Sequence, residues 1–180
     1  KEGTDFTLSY SNNTEVGDAE VAITGINNYD GVVTRTFKIT KKDLGTATNV
    51  VITLKAGEEY VYTGDPIEPI VEKLEIDGEE WDEVRFYQDF IVKSEAVDVG
   101  TGYTFTIEGK SNYKGSISSQ TVTFDIKPKN IEDELNVRIE DIPNQAYTGS
   151  PIEPVPVITY NGKTLVQGKD FTTAYANNTD

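Results

Sequence analysis

"ITGINNYDG" occupies Ile23–Gly31, and "IEGKSNYKG" occupies Ile107–Gly115, 84 residues later. Each copy ends an alternating stretch, Val21-Ile23 in the first and Phe105-Ile107 in the second, with polar residues between the apolar ones. Spacing of two is the mark of a half-buried strand, with one face to a core and one to water. Asn27-Asn28 and Ser111-Asn112 then supply a turn before the recurrent Tyr29 and Tyr113. The phrase therefore reads as strand, turn, strand, and its second appearance reads as the same structure used again.

Other landmarks recur at nearly the same distance. "YTGDPIEP" at 62–69 returns as "YTGSPIEP" at 147–154, an offset of 85, and "FKITKKDL" at 37–44 returns as "FDIKPKNI" at 124–131, an offset of 87. "GTDFTLSYSNNTE" at 3–15 returns as "GKDFTTAYANNTD" at 168–180, about two periods on. A tandem repeat of about 85 residues accounts for all four. Lys127-Pro128-Lys129 reads as a linker, because proline removes a ladder donor and holds the chain extended. On that phase residues 43–127 form a complete repeat. Residues 1–42 are then the C-terminal part of a preceding repeat, and 128–180 the N-terminal part of a following one. The alternative phase starts each unit at Gly-x-Asp-Phe and divides the chain into 1–85 and 86–180.

Within one period the alternation continues in Val50-Ile52-Leu54, Phe6-Leu8-Tyr10, Val122-Phe124-Ile126 and Phe37-Ile39. Asp77-Gly78 and Asn161-Gly162 are dipeptides suited to a type I′ hairpin, whose two central residues need positive φ. No helical stripe exceeds two turns, so a β-grasp unit built round a central helix is not expected. About seven short strands per 85 residues, with regular turns, predict an all-β chain of tandem Ig-like β-sandwich repeats. In this frame Tyr62 ends a strand, Thr63-Gly64 bends the chain, and the two prolines of "PIEP" mark an edge strand where it changes sheet. A polyproline ligand is the competing reading of the same residues.

The chain carries 16 Lys and Arg against 31 Asp and Glu, a net charge of −15. So negative a surface repels phosphate backbones and anionic lipids, which argues against nucleic-acid or membrane partners. No apolar run approaches the roughly 18 residues of a membrane span. With no His and no Cys, the usual transition-metal sites, Ser-His-Asp triads, Cys-His dyads and disulfides are excluded. No catalytic, cofactor-binding or metal-ligating residue is expected. The opening Lys1-Glu2-Gly3, without initiator Met or signal peptide, suggests a piece excised from a longer protein.

These motifs resemble the tandem Ig-like repeats of large surface and secreted proteins of Gram-positive bacteria. Gly3, Asp5, Phe6, Tyr10, Asn12 and Asn13 match the Gly-x-Asp-Phe-x-x-x-Tyr-x-Asn-Asn phrase of those repeats. Gly17, Ala19, Val21, Ile23, Gly25, Asn28, Tyr29, Gly31, Phe37 and Ile39 match its continuation. Tyr62/Gly64/Pro69 and Tyr147/Gly149/Pro154 match the opening of a unit. The middle repeat departs where Ser94-Glu95-Ala96-Val97 replaces Tyr-x-Asn-Asn, and where Trp81 joins an acidic run. The resemblance implies a non-catalytic stalk or spacer, or an adhesin, on the bacterial cell surface or cell wall, or secreted. Neighbouring repeats of the same protein would be its partners, with a glycan or a host surface protein as a further one.

The acidic run "EIDGEEWDE" at 75–83 offers a Ca²⁺ site or a Glu79/Glu80 carboxylate pair. It also falls on a predicted hairpin turn and misses the EF-hand spacing, which favours a solvated turn. Trp81, Phe86 and Tyr87 are the candidate ligand-binding aromatics, a platform for stacking sugars; the competing reading puts Trp81 in the core. A Lys–Asn isopeptide bond drawn from Lys38, Lys127, Asn28 or Asn112 is a further candidate. Half-units at both ends would expose apolar faces, making head-to-tail self-association a candidate mode of assembly.

Overall fold

The alternating stretches fold as strands. A computed structural model describes residues 1–132 and 135–178. The chain divides into two compact units, Lys1–Pro128 and Lys129–Asp180. In the first, β1 (Phe6–Ser11), β2 (Gly17–Gly25) and β3 (Val32–Ile39) form one antiparallel sheet. There follow β4 (Lys42–Asp43), a 3₁₀ turn at Leu44–Thr46, β5 (Val50–Leu54), β6 (Tyr60–Val61), β7 (Val71–Ile76) and β8 (Glu79–Asp82). The helix α1 (Glu83–Asp89) leads into β9 (Phe90–Lys93), β10 (Gly100–Tyr103), β11 (Thr106–Gly109), β12 (Tyr113–Lys114), β13 (Ser116–Ser118) and β14 (Phe124–Lys127). The second unit holds one sheet, β15 (Val137–Ile139), β16 (Ile158–Tyr160) and β17 (Lys163–Thr164). Among the described residues the chain is all-β apart from α1 and the 3₁₀ turn.

Three small sheets, β5-β7-β8, β9-β11-β13 and β6-β14-β10, turn their apolar residues toward one core in the first unit. Its buried members run from Leu44 to Ile126 and include Val71, Leu74, Ile76, Trp81, Phe86, Phe90, Ile107 and Phe124. Burying side chains of this size stabilises by about 1.5–3 kcal/mol each before entropy is counted. Two short parallel pairings tie the early strands to the late ones, β4 with β12 and β6 with β14. The second unit has a small core of Val137, Ile158, Tyr160 and Phe171.

The recurrent phrases adopt recurrent geometry. In β1-β2-β3 the partners are Phe6 with Gly25, Leu8 with Ile23, and Ile23 with Val33. In β9-β11-β13, 84 residues on, they are Phe90 with Gly109, Val92 with Ile107, and Ile107 with Ile117. Gly25 N–H donates to Gly31 O and Gly109 N–H to Gly115 O, both at 2.9 Å. Asn27 and Ser111 take the left-handed conformation, at φ 59° and 53°. Chain reversal there is tight: a Cβ on Gly25 would lie 2.9 Å from Asp30 N, and one on Gly109 would lie 2.9 Å from Lys114 N. Only glycine allows so close a backbone approach.

The hairpins at Asp77-Gly78 and Asn161-Gly162 also agree. All four residues have positive φ, as a type I′ turn requires. Val50 faces Ile76 and Ile52 faces Leu74 in β5-β7, while Val137 faces Tyr160 and Ile139 faces Ile158 in β15-β16. The two "YTG" bends share a Thr hydroxyl, Thr63 or Thr148, that accepts the N–H two residues on at 3.3 Å. The "PIEP" residues after them form no strand; 66–70 lies outside the ladders, with Pro69 fully buried. Ile67 N–H donates to Ala96 O at 2.9 Å and Ile70 N–H to the Tyr60 hydroxyl at 2.9 Å. The segment is therefore a crossing anchored at Ile67, Pro69 and Ile70 rather than the expected edge strand, because each proline removes a ladder donor.

One element departs from the all-strand reading. Asp82 caps the N-terminus of α1 by accepting Arg85 N–H at 2.8 Å, and Glu83 places a negative charge in the first turn. Gly3 and Gly168 stand two residues before Asp5-Phe6 and Asp170-Phe171, with φ of 77° and 83°. Tyr87 fills that place before Asp89-Phe90. A tyrosine resists the left-handed conformation, so the turn becomes helical.

Candidate functional site

The densest group of functional side chains in the first unit surrounds β8 and α1. β8 places Trp81 inward and the helix turns Phe86 beneath it; neither ring has exposed surface. Trp81 meets Phe90 edge-on at 5.4 Å and Tyr113 at 5.8 Å between ring centroids. Its indole N–H donates to Asp89 Oδ2 at 3.0 Å, and the Arg85 guanidinium lies 4.6 Å from the ring centre. Tyr87 alone of the three candidate aromatics reaches solvent. Its ring stands edge-on to Phe86 at 4.9 Å, and its hydroxyl accepts Val71 N–H at 3.2 Å. Burial pushes the Tyr87 hydroxyl above its ordinary pKa, and does the same to Tyr113 beside Glu79 and Asp89.

The structure brings the three candidate aromatics together, but as a core wall. A stacked sugar needs an open ring face, which Trp81 and Phe86 lack; Tyr87 offers only part of one. Sequence reading missed Asp89 and Arg85, which hold the indole from its edge and its face. The signal for Asp89 was present in the repeated Asp-Phe dipeptides at 5–6, 89–90 and 170–171. In the third of these, Asp170 accepts Val166 N–H at 2.8 Å. The carboxylate thus closes a local turn there, and takes the indole proton where the turn has become helix.

The acidic run is dispersed over a hairpin and matched to nearby cations. Glu79 and Glu80 are adjacent in a strand and point to opposite faces. Glu79 pairs with Arg85 at 2.5 Å and Glu80 with Lys73 at 2.6 Å, while Glu83 meets Lys55 at 3.0 Å. Asp77 accepts the Thr48 hydroxyl at 2.8 Å and the N–H groups of Thr48 and Asn49. These bonds, the hydroxyl first, hold its carboxyl below the ordinary aspartate pKa. Among the described residues no group of three or more Asp and Glu side chains is placed to hold a metal ion.

Three of the four isopeptide candidates are engaged with other partners. Lys38 pairs with Asp18 at 2.8 Å and Lys127 with Glu59, while the Asn112 side chain accepts Val16 N–H at 3.0 Å and donates to Glu15. Asn28 is exposed in its turn. An open groove of about 450 Å³ runs between Leu54–Tyr60 and Thr123–Lys127. Among the described residues every buried side-chain nitrogen or oxygen has a hydrogen-bond partner. No helix among them is long and apolar enough to cross a membrane. No family model, curated protein or solved structure matches the chain.

Proposed function

We propose that the chain is built of tandem Ig-like β-sandwich units and serves as a non-catalytic stalk or spacer in an exported bacterial surface or secreted protein. The observation that carries this reading is recurrence of structure with sequence. The Gly25 and Gly109 hairpins share register at an offset of 84, and the Asp77 and Asn161 hairpins share turn type and pairing. A domain that repeats its scaffold while its surface charges vary is suited to adding length, since each copy adds one increment. The residues most distinctive of the middle unit, Trp81 and Phe86, are spent on its core. In an adhesin these units would separate a binding domain from the cell wall.

Small-angle scattering on chains carrying additional copies of residues 43–127 tests the spacer. The maximum dimension is expected to rise by a constant increment per copy, and a dimension that stays fixed would sink the proposal. The alternative, a module binding glycan or host protein, would have to act through Tyr87. Retention on a polysaccharide or matrix-protein column that disappears in Tyr87→Ala would favour it.

A further inference from the structure

We infer that the junction between the β1-β2-β3 sheet and residues 43–127 is a fixed elbow rather than a hinge, with Asn112 as the clasp that sets its angle. This rests on the repeat reading, in which the junction joins two successive repeats. Units joined by a short linker move relative to one another unless their interface holds them. Here Asn112 directs three polar groups at residues that precede the middle repeat. Its side-chain oxygen accepts Val16 N–H at 3.0 Å, and its side-chain nitrogen donates to the Glu15 carboxylate. Its backbone oxygen accepts Lys42 N–H at 2.9 Å. Glu15 and Val16 lie in the loop between β1 and β2, and Val16 is 96 residues from Asn112. A loop that offers one N–H and one carboxylate needs an acceptor and a donor side by side, and an amide supplies both.

The clasp stands on a rigid platform. Its hairpin is closed by Gly109 N–H on Gly115 O at 2.9 Å, and Lys110 N–H donates to Asp89 O at 2.8 Å. The neighbouring Tyr113 ring packs against Phe90 at 4.9 Å and Trp81 at 5.8 Å, inside the core. The linker is fixed to the same hairpin. Lys42 and Asp43 pair with Tyr113 and Lys114, Lys114 meets Asp43 at 3.2 Å, and Leu44 is buried in the core. Asp43 also shapes the linker by accepting Gly45 N–H at 3.0 Å. In the second unit Asn130, 87 residues on, makes the same turn by accepting Glu132 N–H at 3.0 Å. The local form of the linker is thus written twice.

Close packing does not set the angle on the other side of the junction. A cleft of about 560 Å³ opens there, lined by Val16–Asp18, Lys38–Lys41 and Lys114. Its ion pairs, Lys38 with Asp18 and Lys114 with Asp43, are exposed. Exposed pairs contribute little to holding two elements in place. The partly buried bond from Val16 and the charge-assisted bond to Glu15 are stronger restraints, and Asn112 makes both.

Spin labels on the whole chain test this. The sequence has no cysteine, so Thr34→Cys in β3 and Glu95→Cys after β9, both at exposed positions, place one label on each side of the junction. Pulsed electron resonance then reads the distribution of distances between them. With Asn112 in place the distribution should be single and narrow. In Asn112→Ala that narrow distance should be lost, while Trp81 emission, reporting on the 43–127 core, stays native. A polarity swap separates the clasp from any effect on folding. Asn112→Asp sets two carboxylates against each other and should broaden the distribution; adding Glu15→Gln returns a donor and should narrow it again. A broad distribution with Asn112 in place overturns the inference. So does an Asn112→Ala distribution as narrow as the wild type, or a double variant no narrower than Asn112→Asp alone. A broad wild-type distribution beside a scattering dimension that still grows with added copies of 43–127 refutes the fixed elbow and leaves the spacer standing. A narrow distribution beside a dimension that does not grow keeps the elbow and refutes the spacer.

Discussion

The β1-β2-β3 sheet and the β9-β11-β13 sheet are paired alike and packed differently. Phe6, Leu8, Ile23 and Val33 occupy the places of Phe90, Val92, Ile107 and Ile117. Phe90 and Ile107 are fully buried and Val92 nearly so; Phe6, Leu8 and Ile23 are half-buried and Val33 is exposed. Register is thus a local property, set by alternation and by the glycine turn. Burial comes from elsewhere, from the strands around Leu74, Ile76 and Trp81 that cover one sheet and not the other.

The sharpest way to break this comparison is to delete the same ring twice. Phe90→Ala should cost about 3–5 kcal/mol, the usual loss for a buried phenylalanine. Phe6→Ala should cost about 1 kcal/mol. Denaturant unfolding followed by Trp81 emission measures both. Equal losses would mean that the first sheet is covered as fully as the second.

Next in size is the glycine at the hairpin. In Gly109→Ala the new methyl meets the Tyr113 Cβ at 2.8 Å and the backbone of Tyr113 and Lys114 at 2.9 Å, and should cost about 1–3 kcal/mol of global stability. Gly25→Ala meets the same obstruction at Tyr29 and Asp30, but the damage should stay local. Hydrogen exchange should quicken at the Gly25 amide while the Trp81 transition remains in place. A shift of that transition in Gly25→Ala would show that the two sheets unfold as one.

How much of this could be read beforehand follows from the same division. The strands, the I′ hairpins and the turn before Tyr113 were legible because each is decided by residues within a few positions of one another. The inward place of Trp81 was legible only as one of two readings, since alternation cannot say which aromatic faces are covered. The helix at 83–89 was not foreseen: seven residues are too few for a periodic stripe, and the cause we assign, Tyr87 standing where Gly3 and Gly168 stand elsewhere, acts beside the Asp82 cap. "PIEP" was read as an edge strand because the prolines were recognised as ladder breakers. What anchors the segment, the Ala96 carbonyl on Ile67 N–H and the Tyr60 hydroxyl on Ile70 N–H, comes from other parts of the chain.

Restoring glycine at the helix tests that last cause. Tyr87→Gly removes a helix former, the edge contact with Phe86 and the acceptor for Val71 N–H. About 1–2 kcal/mol should be lost. If Tyr87 is what converts the turn, the variant should also recover the left-handed conformation seen at Gly3 and Gly168, visible in the chemical shifts of residue 87. A helix that persists through Asp89 would put the cause in the Asp82 cap instead.

The smallest expected effect compares the hairpins at Asp77 and Asn161. Both turns have positive φ at both central residues and donate the first N–H to an asparagine carbonyl, Asn49 or Asn136. Only Asp77 can titrate. Because the Thr48 hydroxyl and the Asn49 and Thr48 amides lower its folded pKa, folding favours the ionised form. That contribution is complete above the unfolded aspartate value of about 3.9 and disappears as pH falls through the lower folded value. Acid unfolding of the Asp77 hairpin should therefore begin below about pH 4, whereas the Asn161 hairpin should show no titration of its own turn residue. In Asp77→Asn the amide keeps an acceptor for the Thr48 hydroxyl and tolerates positive φ, so the turn should survive at neutral pH with that part of the acid dependence gone. Amide exchange of Thr48 and Asn49 against pH reads the difference directly. An unchanged acid profile in the variant would assign the sensitivity to the surrounding Lys–Glu pairs instead.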